Sequence, residues 1–210
     1  MNTVALGCRV HSGWAALVAV SGSPAEPQLI DRRRLEIADP KIVGCKQPYH
    51  AAEPLAFAEA SAFIDRCTKS TNRLAINALR TVIDDLKTRG YASTALGVVL
   101  GSGKPRPDLA AILRSHALIH AAEGEFFRRA TLDAGEACSL SVKGSKEREL
   151  WDLCAAQYVL GVEDLQIRMA AMGRAAGPPW TQDQKLATLA AWLASAGTGL
   201  KRVKRGLLQH

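Results

Sequence analysis

Runs of apolar residues separated by short polar breaks divide the first forty positions into three extended segments. Val4–Val10 is a short strand-like run, and His11-Ser12-Gly13 has the composition of a tight turn. Trp14–Val20 is apolar almost throughout, as a strand covered on both faces would be. Gln28–Ile37 follows the break at Ser21–Pro24 and is more polar, which places it nearer a sheet edge. Connections this short predict antiparallel hairpins. Ala38–Ala52, carrying Pro40, Gly44 and Pro48, predicts a loop. The period then changes to that of a helix: Phe57, Ala60, Phe63, Ile64 and Cys67 recur at helical spacing, and Leu74 through Leu86 continue it to a stop at Gly90. Pro54 is expected early in that helix, where its missing N–H is not needed. The polar stretch Thr68–Asn72 leaves one long helix or two shorter ones open.

Ala95–Leu100 predicts a central parallel strand ended by Gly101-Ser102-Gly103. Pro107–Leu132 reads as helix, Ala137–Val142 as a fifth strand and Ser145–Leu160 as the helix after it. Beyond Gly161 the pattern is helical only. Pro178-Pro179-Trp180 forms a stiff hinge, Thr181 starts a helix with Gln184 in the capping-box position, and Gly197-Thr198-Gly199 closes it. Two units are expected: an α/β core over residues 1–160, with a mixed five-stranded sheet in the order βββαβαβα flanked by helices, and a helical extension with a basic tail over 161–210.

This order of elements resembles the ribonuclease H-like superfamily over about residues 4–160. The resemblance rests on topology and not on a sequence motif. It implies a nuclease whose two metal ions are held by carboxylates, the leading one on the first strand. Here that strand offers Cys8, Arg9 and His11, and no Asp or Glu occurs in Met1–Val20. Gly101-Ser102-Gly103-Lys104 brings no acid either; the candidates are on the last helix of the core, Glu147, Glu149 and Asp152. The expected function is therefore binding of a phosphate-bearing ligand or nucleic acid without a standard two-metal nuclease centre.

The densest chemistry lies in Ser115–Glu125. His116, His120 and Glu123 are at i, i+4 and i+7 and fall within an arc of about 60° on a helix. Two imidazoles and a carboxylate so placed suit a divalent metal ion or a proton relay. Ala117 stands where an HExxH motif has its general base, so that motif is excluded. His11, in the first turn, joins this set as a candidate catalytic group. His50, Arg9 and Ser115 are candidate ligand-binding residues. Gly101, Ser102 and Lys104 sit between a strand and a helix, the setting in which backbone amides cradle phosphate. Val98 and Pro105 exclude a Walker A loop there. The alternatives are a hydrolase or metal-dependent enzyme built on the His/His/Glu cluster, and a non-catalytic interaction scaffold.

Composition narrows the setting. A net charge of +7 and a pI near 9.4 favour anionic partners. Basic clusters occur at Arg32–Arg34, Lys143–Lys146 and Lys201–Arg205. Aromatic residues make up 5% of the chain and do not interleave with these clusters, which argues against a stacking platform for single strands. Five cysteines without CxxC spacing exclude a disulfide framework and a zinc ribbon, and read as reduced thiols of a cytoplasmic protein. No signal-peptide pattern opens the sequence, and no apolar run approaches the ~20 residues of a membrane span.

Overall fold

Five strands form one mixed sheet: β1 (Asn2–His11), β2 (Trp14–Ser21), β3 (Gln28–Glu36), β4 (Tyr91–Leu100) and β5 (Ser141–Lys146), in the spatial order β3-β2-β1-β4-β5. The computed structural model describes residues 2–22, 26–101 and 108–203, with 196–203 as helix backbone only. The first three strands pair antiparallel, as their short connections require; β4 runs parallel to both β1 and β5. Gly13, at φ +84°, makes the β1–β2 turn, and its carbonyl accepts from the amides of Ile37 (2.9 Å) and Ala38 (3.0 Å). The end of β3 is thereby tied to the end of β1.

The pleat sends Val4, Leu6, Cys8 and Val10 to one face and Ala5 and Gly7 to the other. On the first face lie α2 (Phe57–Thr88) and α4 (His116–Ala137), with two short helices beside them, α1 (Pro48–Ala52) and α3 (Leu109–Leu113). On the second lie α5 (Leu150–Tyr158), α6 (Val162–Ala176) and α7 (Gln182–Val203). Four of the five cysteines are buried and all are unpaired. Among the described residues no helix is long and apolar enough to cross a membrane.

Several boundaries differ from those the pattern predicts. The stretch Thr68–Asn72 lies inside one continuous helix, because Thr68 Oγ1 donates to the Ile64 carbonyl (2.8 Å) and Thr71 is buried. That helix begins at Phe57, and Pro48 rather than Pro54 is the proline in a first helical turn. The helix expected over 107–132 breaks at Ser115, whose backbone is extended, and then runs on to Ala137. Buried Ala130, Ala134 and Gly135 hold this last part against the sheet, so β5 starts at Ser141, after a turn in which Ser139 takes φ 60°.

The C-terminal helices form a layer of the fold. Leu186, Ala187, Leu189, Ala190, Trp192 and Leu193 of α7 are buried over β1, β2 and β4. Gly7 and Gly97, paired across β1 and β4, clear the way: a Cβ on either would come within 1.8 Å of the Ala187 carbonyl oxygen or 2.0 Å of that of Ala190. The capping box that starts α7 is present, with the Thr181 amide donating to Gln184 Oε1 (2.8 Å) and the Asp183 amide to Thr181 Oγ1 (3.3 Å). Helix α7 continues through Gly197–Gly199 to Val203. Arg32 on β3 secures the approach to it, donating to the carbonyls of Ala176, Gly177, Pro178 and Pro179 at 2.6–2.9 Å.

Candidate anion and metal sites at the carboxyl edge of the sheet

Strands β1, β4 and β5 are parallel, so their carboxyl ends share one edge, which α4, running antiparallel to β4, passes at Arg128. Open α/β sheets bind ligands at such edges. Arg9 comes from the end of β1, Gly101 from just past β4, and Lys146 and Glu147 from the end of β5. Arg9 Nη2 lies 3.0 Å from Glu147 Oε2. Arg128 on α4 is 3.8 Å from Glu125, a long pair. The Nε atoms of both arginines are buried and have no acceptor among the described residues.

The Arg128 guanidinium occupies space left by two glycines. A Cβ on Gly101 would lie 2.9 Å from Nη1, and one on Gly124 would lie 3.0 Å from it. Burial pulls the Arg128 pKa below its ordinary value; Glu125 and Glu147 oppose that shift and the Arg9 charge adds to it. Leu100, Gly101, Lys146, Glu147 and Arg148 line an adjoining cleft of about 270 Å³.

A second cluster sits on the first turns of α4. His116 and His120 are one turn apart with their Nε2 atoms 3.0 Å from each other. His50 of α1 packs edge-on against both rings, at centroid distances of 5.5 and 4.8 Å. One ligand atom from each of the three histidines lies within 4.8 Å of the others. His50 is half-buried and the other two are exposed.

Glu123 shares their helical face but turns inward, to 4% exposure. Its Oε1 accepts from the amides of Tyr49 (2.8 Å) and His50 (3.0 Å) and lies 3.2 Å from His50 Nδ1. Its Oε2 is buried and unpartnered among the described residues. Burial raises the Glu123 carboxyl pKa, and the hydrogen bonds from His50 and Tyr49 work against that rise. The carboxylate thus fixes the start of α1, and the third imidazole at the cluster is His50.

The remaining candidate residues scatter. His11 stacks on Trp14 (4.3 Å between centroids) and pairs with Asp183 of α7 at 2.9 Å, outside the group formed by His50, His116 and His120. Ser115 caps α4 through its backbone, with no side-chain cap bond. Gly101 lies under Arg128, while Ser102 and Lys104 fall outside the described residues, as do Lys204 and Arg205 of the basic tail. The basic run on β3 is spent locally: Arg33 pairs with Asp31 and Asp85, and Arg34 with Glu36 and the face of Trp14. Arg128 and Asp183 were not marked by any sequence pattern, since their settings arise only when α4 and α7 meet the strand ends.

No protein-family model matches the sequence, and no curated protein matches it. Two solved structures from Thermus thermophilus are similar in fold. The RuvC structure shares 12% identity, with 96% of this chain and 97% of that chain covered, at a TM-score of 0.50. RuvC in complex with a Holliday junction substrate shares 12% identity, with 95% and 96% covered, at a TM-score of 0.49. The fold is ribonuclease H-like. Identity this low speaks to the fold alone.

The leading carboxylate that the sequence resemblance implies on the first strand is not there. At the end of β1 the polar side chains are Arg9 and His11; of the nearby acids, Glu147 is paired with Arg9 and Asp183 with His11.

Proposed function

We propose that this protein binds the phosphate backbone of a nucleic acid at the carboxyl edge of its sheet, without the two-metal chemistry of nucleases that share its fold. The observation that carries this reading is the pair Arg9 and Arg128. Their two partly buried guanidinium groups have buried Nε donors without acceptors among the described residues, and Glu147 lies 3.0 Å from Arg9. A buried unsatisfied donor costs about 1–3 kcal/mol, and an oxyanion that accepts from it offsets that cost. Guanidinium groups match phosphate oxygens better than ammonium groups do. Lys146 and Arg148 beside the cleft and the net charge of +7 support the same ligand class.

The test is fluorescence anisotropy with labelled single-stranded, duplex and branched DNA between about 50 and 200 mM salt. Affinity should fall steeply with salt. Arg9→Ala and Arg128→Ala should each weaken binding to every sequence and lower the salt slope by about one. Absence of binding at the lowest salt, or an unchanged affinity in both variants, overturns the reading. The same protein with Mg²⁺ should leave the strands uncut. A second reading, a metal-dependent hydrolase, is favoured by the convergence of His50, His116 and His120. Hydrolysis of a chromogenic phosphodiester after metal addition would support it.

A further inference from the structure

We propose that His50, His116 and His120 form a binding site for one divalent transition-metal ion of the zinc class. This does not depend on the nucleic-acid reading. Three imidazoles offer ligand atoms within 4.8 Å of one another, from two elements whose relative position is fixed by packing. Tetrahedral coordination at roughly 2.0–2.1 Å per nitrogen places ligand atoms roughly 3.3 Å apart. The His116–His120 separation of 3.0 Å is already near that value. The wider separations close by side-chain rotation, which the exposure of His116 and His120 permits.

The support beneath the cluster is an independent observation. A histidine that ligates metal through Nε2 commonly donates its Nδ1–H to a carboxylate, which fixes its tautomer and raises its basicity. His50 Nδ1 lies 3.2 Å from Glu123 Oε1, and that oxygen also takes the amides of Tyr49 and His50. Ring and backbone of His50 are therefore held by one buried carboxylate, and with Nδ1 engaged there Nε2 is the nitrogen left for a metal. Glu123 has no Lys or Arg partner among the described residues, so His50 is the side-chain cation donor at its carboxyl group.

The donor set selects the ion. Imidazole nitrogens without carboxylate oxygen suit Zn²⁺, Cu²⁺, Ni²⁺ or Co²⁺, and disfavour Mg²⁺ and Ca²⁺, which require oxygen ligands. Three protein ligands, two of them exposed, leave a fourth position for water. That count is the one found in zinc sites that do chemistry, whereas structural sites are closed by four protein ligands.

Tag-free protein stripped with EDTA and titrated with Zn²⁺ against a chromogenic chelator should bind one ion per chain. Co²⁺ should give the visible absorption of a tetrahedral site. His116→Ala, His120→Ala and His50→Ala should each lower Zn²⁺ affinity at least ~100-fold, and Glu123→Gln should lower it ~10–100-fold with all three ligands in place. His11→Ala should leave both affinity and stoichiometry unchanged. Exposed His116 and His120 can be replaced without disturbing the core, and circular dichroism checks each variant. Lack of stoichiometric binding overturns the proposal. So does binding that survives the double variant His116→Ala/His120→Ala, or binding that depends on His11. DNA binding is read separately by anisotropy, so failure of one proposal leaves the other standing or falling on its own result.

Discussion

The contact of α7 with the sheet and the carboxyl edge of the same sheet are built on opposite rules. Under α7 there is no spare room: Gly7 and Gly97 exist so that helix carbonyls can touch the strands, and Trp192 is fully enclosed. Polar groups there are mostly absorbed, as where Tyr158 Oη donates to the Trp192 carbonyl at 2.8 Å and Lys143 Nζ to that of Leu193 at 3.2 Å, and the buried Trp192 Nε1 is an exception, with no acceptor among the described residues. At the carboxyl edge, glycines make room of another kind. Gly101 and Gly124 leave space for a guanidinium, and Arg9, Arg128 and Glu123 each keep a buried polar atom without a partner among the described residues. Close packing of apolar surface stabilises the first region. The second holds like-charged groups together at a cost in stability, which is the pattern expected where a ligand completes the bonding.

Substitutions should separate the two regions, beginning under α7. Gly97→Ala puts a methyl group 2.0 Å from a backbone carbonyl oxygen that cannot rotate away, so the helix must shift. We expect a loss of about 3 kcal/mol or more, read as a fall in Tm of about 6–12 °C. A Tm within about 2 °C of the parent would break the comparison at its strongest point. Arg128→Ala should do the reverse, weakening DNA binding about tenfold while changing stability by less than about 1 kcal/mol.

Gly124→Ala sharpens the contrast, because it acts on both quantities with opposite sign. Alanine in a helix interior is favoured over glycine by up to about 1 kcal/mol, so Tm should rise. The new methyl lies 3.0 Å from Arg128 Nη1 and pushes the flexible guanidinium aside, so DNA affinity should fall a few-fold. A rise in both would detach Arg128 from the binding site. His11→Ala removes a stacked, hydrogen-bonded ring, and should cost about 1 kcal/mol without altering DNA binding. The smallest effect concerns the thiols. Burial pushes Cys8 and Cys154 up to about 12, so neither forms thiolate at pH 8, and both should resist a thiol reagent until the protein is denatured.

Much of the architecture is legible in the sequence because its signals are local. Trp14–Val20 is apolar on both faces since both faces are covered, by α2 and α4 on one side and α7 on the other. The capping residues Thr181 and Gln184 announce a helix start three residues apart. Boundaries failed where packing outweighs pattern. Helix α4 runs on to Ala137 because Ala134 and Gly135 are buried against Leu96 and Val142, and β5 is displaced with it. The alanine-rich face of α7 reads as a modest amphipathic helix, and nothing in it states that two strand glycines are waiting beneath.

The sequence by itself determined the order of the elements, the hairpin pairing of the first three strands and the absence of an acid on the first. It also placed His116, His120 and Glu123 on one helical face, because residues three and four apart on a helix are neighbours whatever surrounds them. Tertiary structure alone decided that Glu123 turns inward to hold α1, that His50 arrives beside the other two histidines, and that Arg128 meets Arg9 at the strand ends. Tyr49 and Glu123 lie 74 residues apart, and a contact at that separation follows from how whole layers pack, which no local period encodes.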